Sequence, residues 1–194
     1  GLVGSEMCIR DRYEGIRYNG WQKQKNQENT IQEVVENAVF DGTGERVEVI
    51  GSGRTDAGTH AMGQVANVKL GQDLEPERLM DNINKHLPSD IKILECEKVD
   101  NRFHARLNAK AKTYMYTLCV GKKPDVFNRR TVLHYCADLD VNAMKKAAEY
   151  LKGEHDFMSF CSNKRTKKST VRKIYDIEII KDGDEISFIF KGNG

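Results

Sequence analysis

The chain has 194 residues, 39% hydrophobic and 31% charged, with a formal net charge of +2. That length can bury one large core or two small ones, and no apolar run approaches the roughly 18 residues of a membrane span. The five cysteines (Cys8, Cys96, Cys119, Cys136, Cys161) are scattered without a C-x-x-C pair, which argues against a zinc site or disulfide framework and fits a reducing cytoplasm.

In chain order, residues 1–12 are set aside first. Leu2–Asp11 reads as the translation of a common sequencing adapter and lacks the apolar core of a signal peptide, so the native sequence is expected to start near Tyr13. "NTIQEVVENAVF" reads as a helix with a capping box of Thr30 and Glu33 and an apolar face of Ile31, Val34, Val35, Ala38 and Val39. "ERVEVI" and "GQVANVKL" are strands on either side of a glycine loop. Pro76 opens a second helix carrying Leu79, Met80, Ile83 and Leu87, and Pro88 closes it. "IKILECEKV" is a further strand.

The second half repeats this scheme. "AKTYMYTLCV" and "TVLHYC" are strand-like. Asp140 caps a helix with Val141, Met144, Ala147, Ala148 and Leu151 on one side, which Gly153 is expected to end. "RKIYDIEII" and "EISFIF" flank Asp182–Gly183, a hairpin signal. The order of strands and helices predicts two related α+β halves of the split βαβ kind, 13–108 and 109–194. The end at "FIFKGNG", directly after a strand, suggests that the chain is a fragment.

Charge is segregated. Arg102, Arg106, Lys110, Lys112, Lys122 and Lys123 fall in a stretch without acids between Asp100 and Asp125, and Lys164, Arg165, Lys167, Lys168, Arg172 and Lys173 form a second such block. Basic blocks on a near-neutral chain point to a polyanion held on one face, or to a solvated loop.

The stretch "GSGRTDAGTHA", Gly51–Ala61, is the most distinctive. It lacks the lysine of a phosphate-binding P-loop, and the spacing of Gly51, Gly53 and Gly58 misses the dinucleotide fingerprint. Two readings of Asp56 stay open: a carboxylate presented on a glycine-rich loop, or the commoner turn aspartate bonded to its own backbone. Arg54, two positions earlier, could touch a phosphate or hold the acid.

This stretch resembles the signature of the TruA family of tRNA pseudouridine synthases. Four further stretches resemble family motifs in the same order: "YEGIRYNGWQKQ", "NINKHLPSDIKI", "FHARLNAKAKTYMY", and "LKGEHDFMSF" with the later "VRKI". The resemblance implies a pseudouridine synthase fold, two split-βαβ halves (ferredoxin- or RRM-like) forming a mixed, mainly antiparallel sheet with a central cleft. It implies conversion of uridine to pseudouridine at positions 38–40 of the tRNA anticodon stem-loop, by a cytoplasmic homodimer without cofactor or metal. Asp56 matches the catalytic aspartate, and Tyr114 the tyrosine that stacks on the target base. Arg54, Arg106, Lys110, Lys112, Lys164, Arg165, Lys167 and Lys168 are then expected to hold RNA phosphates. Thr59, Asn108 and Met115 depart from the family's valine, serine and arginine. The family continues past "KGNG" into a helix whose arginine pairs with the catalytic aspartate, so the chain as it stands is expected to be inactive. The rival reading is a non-catalytic tRNA-binding module.

Overall fold

A computed structural model describes residues 4–26, 28–121, 125–161 and 169–193, and the chain divides into two units, Gly1–Ala109 and Lys110–Gly194. Lys164, Arg165, Lys167 and Lys168, and with them most of the expected phosphate clamp, lie outside the described residues.

In the first unit β1 (Ser5–Tyr13) leads through α1 (Ile31–Thr43) to β2 (Val49–Gly51), and β3 (Ala61–Leu70) leads through α2 (Pro76–His86) to β4 (Ile91–Val99). The sheet order is β2-β3-β1-β4, every pair antiparallel. Two interleaved βαβ crossings of this kind are the split βαβ arrangement. A four-residue helix, α3 (Ala105–Asn108), follows β4.

Local chemistry sets these boundaries. The Thr30 hydroxyl accepts from the Glu33 amide and Gly44 closes α1 in the left-handed region, while the Glu33 carboxylate accepts from the Asn29 amide. Pro76 stands in the first turn of α2, where a missing N–H costs nothing. Ile31, Val35, Ala38 and Val39 of α1 join Leu79 and Ile83 of α2 over Met7, Ile9, Ala66, Val68, Leu70, Ile91 and Ile93 in one core. Val34 is only partly buried against it.

β1 is one of the two inner strands of this sheet, and most of it comes from residues that the sequence reading set aside. Met7, Ile9 and Tyr13 alternate on the buried face, and period-2 apolar spacing suffices for a strand slot. Asp11 occupies the same face, fully buried. β2 is shorter than the apolar run "ERVEVI" suggested, with only Val49–Gly51 paired.

The second unit contains β5 (Lys112–Cys119), β6 (Leu133–His134), α4 (Val141–Glu149), β7 (Gly153–Asp156), β8 (Val171–Asp182) and β9 (Glu185–Gly192). Its sheet order is β6-β5-β9-β8-β7; β5 and β6 are parallel and the other pairs antiparallel. The Asp140 carboxylate caps α4 by accepting from the Ala143 amide. Ala148 of α4 meets Ile177, Ile179 and Ile186, flanked by Val141, Met144, Leu151, Phe188 and Phe190.

Three local expectations are corrected. Ala147 is exposed, because the helix rotates Ala148 into the contact. α4 ends at Tyr150, whose amide turns back to the carbonyls of Ala147 and Ala148, and Gly153 with φ of +97° begins β7 instead. In the hairpin Asp182 pairs with Glu185, so the two-residue turn is Gly183–Asp184. A turn opening on φ of +57° at Gly183 is one that glycine adopts without strain.

Candidate active site

The glycine loop joins β2 to β3, and its shape is fixed by residues 13–21, which follow β1. The Trp21 amide donates to the Thr55 carbonyl at 3.0 Å and the Gly58 amide to the Tyr18 carbonyl at 3.3 Å. The Tyr13 hydroxyl and Thr55 Oγ1 are hydrogen-bonded at 2.8 Å, and the Gly15 amide donates to His60 Nδ1 at 3.2 Å. At the root of the loop Gln64 donates to the Gly53 carbonyl and accepts from the Ser52 hydroxyl. Residues 14–18 are held in turn by Asp90: its carbonyl accepts from the Glu14 amide, and its carboxylate accepts from the Tyr18 hydroxyl at 2.7 Å. Burial, followed by that bond, pushes the Tyr18 phenol far above its ordinary range.

Two glycines make this approach possible. A Cβ on Gly51 would lie 2.6 Å from the Trp21 indole, and one on Gly15 would lie 1.9 Å from the Thr59 carbonyl oxygen. The second clash is against backbone, so the loop itself would have to move. Gly15→Ala is therefore expected to destabilise the chain by about 1–3 kcal/mol, read as a lower urea midpoint with unchanged slope.

Asp56 sits at the tip of this fastened loop. Its backbone carbonyl accepts from the Thr59 amide at 3.1 Å, with Gly58 at φ of +81° completing the turn. The side chain is exposed. Among the described residues its carboxylate makes no hydrogen bond or ion pair, so the turn is closed by backbone groups and the acid is left over. The reading of Asp56 as an aspartate bonded to its own backbone is not supported.

Arg54 and Arg106 are brought together. Both line a cavity of about 230 Å³ with Gln22, Gln32, Glu48 and His104. Arg106 lies on α3, which hangs from the reverse face of the sheet: Asn67 of β3 accepts from the Ala105 amide at 2.8 Å and donates to Glu6 of β1. His104 caps α3, its Nδ1 accepting from the Leu107 amide at 3.4 Å. The two histidines that an acid–base scheme would invite, His60 and His104, thus spend Nδ1 on backbone amides. Asp56 is not part of the lining of this cavity.

Lys110, Lys112 and Tyr114 belong to the second unit. The Lys110 carbonyl accepts from the Tyr175 hydroxyl at 3.4 Å, and Lys112 pairs with Gly192 at the start of β5. Tyr114 and Tyr116 stand opposite Phe190 and Phe188, so period 2 puts both rings on one face. They are 50% and 54% exposed, on the face that Phe188 and Phe190 share with the second unit's core. Lys112 and Tyr114, two apart on β5, share one face of that strand.

Sequence reasoning did not find the fastening by Tyr13 and Thr55, while a turn-anchoring role for His60 was the reading preferred over acid–base chemistry. A tyrosine 42 residues from its threonine leaves no local signal, and only the shared dependence of residues 13–21 and 51–60 on glycine hinted at it.

The chain matches the family model described as tRNA pseudouridine synthase over residues 9–108 and 147–194. The tRNA pseudouridine synthase A 2 of Bacillus cereus (strain ZK / E33L) is 40% identical over 183 residues, covering 94% of this chain and 75% of the relative. The tRNA pseudouridine synthase A proteins of Acetivibrio thermocellus and Thermoanaerobacter sp. (strain X514) are 40% and 42% identical, each covering 94% of this chain and 74% of the relative.

Proposed function

The chain belongs to the tRNA pseudouridine synthase family, and we propose that it isomerises uridine at positions 38–40 of the tRNA anticodon stem-loop, with Asp56 acting on a flipped-out base. The reading is carried by the Asp56 carboxylate, which is exposed and unpaired among the described residues at the tip of a loop fastened at several points. A carboxylate held in place but unused by the fold is available to a substrate.

In the reaction the N1–C1′ bond breaks, the uracil turns, a C5–C1′ bond forms, C5 gives up its proton and N1 takes one up. Atoms and electrons are conserved within the nucleoside, so Asp56 has to supply only a nucleophile or a base. Arg54 and Arg106, converging on one cavity, take backbone phosphates beside the target. Lys110 and Lys112, and Lys164, Arg165, Lys167 and Lys168 of the second basic block, take further phosphates. Tyr114 offers the exposed ring on which an unstacked base can rest. The assembly is a homodimer acting in the cytoplasm. The relatives are longer than the matched part by about a quarter of their length, and the arginine that the family resemblance implies opposite Asp56 is expected from that quarter. The 194-residue chain alone is accordingly inactive.

The test measures pseudouridine by site-resolved mapping of tRNAs carrying uridine only at position 38, 39 or 40. It compares the chain with a fusion that adds the unmatched quarter of the Bacillus cereus relative. The fusion is expected to convert all three sites and the chain alone none. Tight tRNA binding without product from either protein would replace this reading with a non-catalytic tRNA-binding module.

A further inference from the structure

The second unit carries a nucleophile and base that the proposed RNA chemistry does not use. His134 of β6 places Nε2 in hydrogen-bond contact with the Gly121 carbonyl oxygen. A carbonyl only accepts, so Nε2 carries the ring proton of the neutral imidazole and Nδ1 is its basic nitrogen. Nδ1 lies 3.5 Å from Cys136 Sγ. Residues two apart in extended chain face the same side, and the Tyr135 amide donates to the Cys119 carbonyl at 2.8 Å, holding the segment extended along β5. The thiol is therefore the donor and the imidazole the acceptor, with a backbone carbonyl orienting the base. That is the order of parts in an activated cysteine.

Cys136 is exposed, so a small reagent can reach it. Two other thiols differ in kind: burial pushes Cys8 upward and Cys96 to about 11, which withholds their thiolates at neutral pH.

We propose that Cys136 is a modification site, a thiol activated by His134 that exchanges with low-molecular-weight disulfides. The Sγ proton passes to Nδ1 of His134. The thiolate attacks one sulfur of the small disulfide, an Sγ–S bond forms as the S–S bond breaks, and the departing thiolate takes the proton from the imidazolium. Cys136 is oxidised and one half of the disulfide reduced, so no other oxidant is needed. This inference stands apart from the RNA reading and needs no tRNA for its test.

The experiment incubates the chain with oxidised glutathione at neutral pH and follows each cysteine by peptide mass mapping. The urea-unfolded chain serves as the unactivated reference. Cys136 is expected to form its mixed disulfide at least about five-fold faster in the folded chain than in the unfolded one. In His134→Asn, which lacks the basic nitrogen, the rate is expected to fall to the unfolded reference while circular dichroism stays unchanged. A folded-state rate no higher than the reference, or an unchanged rate in His134→Asn, overturns the proposal.

Discussion

Asp56→Asn is expected to lower pseudouridine formation by at least about 10³-fold, with tRNA affinity kept within about two-fold. Asparagine has the shape of aspartate but neither its charge nor its basicity. The loop has no reason to change, because the Asp56 side chain is not used to close its turn; the contact to the Thr59 amide comes from the backbone carbonyl. Single-turnover product formation with the extended fusion, alongside binding at two salt concentrations, separates the two quantities. Arg54→Ala and Arg106→Ala should show the opposite pattern, weaker binding and a salt slope smaller by about one each, because the proposed function assigns them to phosphates and not to the base. Full activity in Asp56→Asn would remove the aspartate from the mechanism. A collapse of tRNA affinity with it would make Asp56 a binding group.

Asp11→Val is expected to stabilise the first unit by about 2–4 kcal/mol at pH 7. Asp11 lies on the core face of β1, opposite Gln64 of β3 and Ile93 of β4. It is fully buried, and among the described residues neither carboxyl oxygen has a hydrogen-bond partner on another residue. Burial raises the carboxyl well above its ordinary value near 3.8. Below that value both the folded and unfolded chains hold the proton, and nothing is lost. As pH rises the unfolded chain releases its proton first, so the folded state loses stability until the raised value is passed. The advantage of the valine variant should therefore grow between pH 4 and pH 7, and paired urea titrations at the two pH values measure it. An advantage that is absent, or equal at both, would mean that the carboxyl finds a partner or water.

The helices were legible because their signals are local. Thr30, Pro76 and Asp140 each announce a helix start within a few residues, and the apolar spacing behind them needs no knowledge of the partner. The glycine loop was legible as a feature, and its fastening was not, because the Tyr13–Thr55 and Gly15–His60 contacts span more than 40 residues. β1 was missed for a different reason: its origin was judged, and its alternation of Met7, Ile9 and Tyr13 was not. The hairpin slipped by one residue because Asp182–Gly183 and Gly183–Asp184 are both good turn pairs, and cross-strand register decides between them. The pairing of Cys136 with His134 depends on a tautomer fixed by Gly121, which no spacing rule reveals.

The close seating of residues 13–21 against residues 51–60 also bears on descent. Gly15 faces the Thr59 carbonyl, Gly20 the Thr55 carbonyl and Gly51 the Trp21 ring, so neither segment can change shape alone. In any lineage carrying this unit, the two segments should vary jointly. A substitution that enlarges one side should persist only with a compensating change on the other, so that two stretches about 40 residues apart are inherited as one.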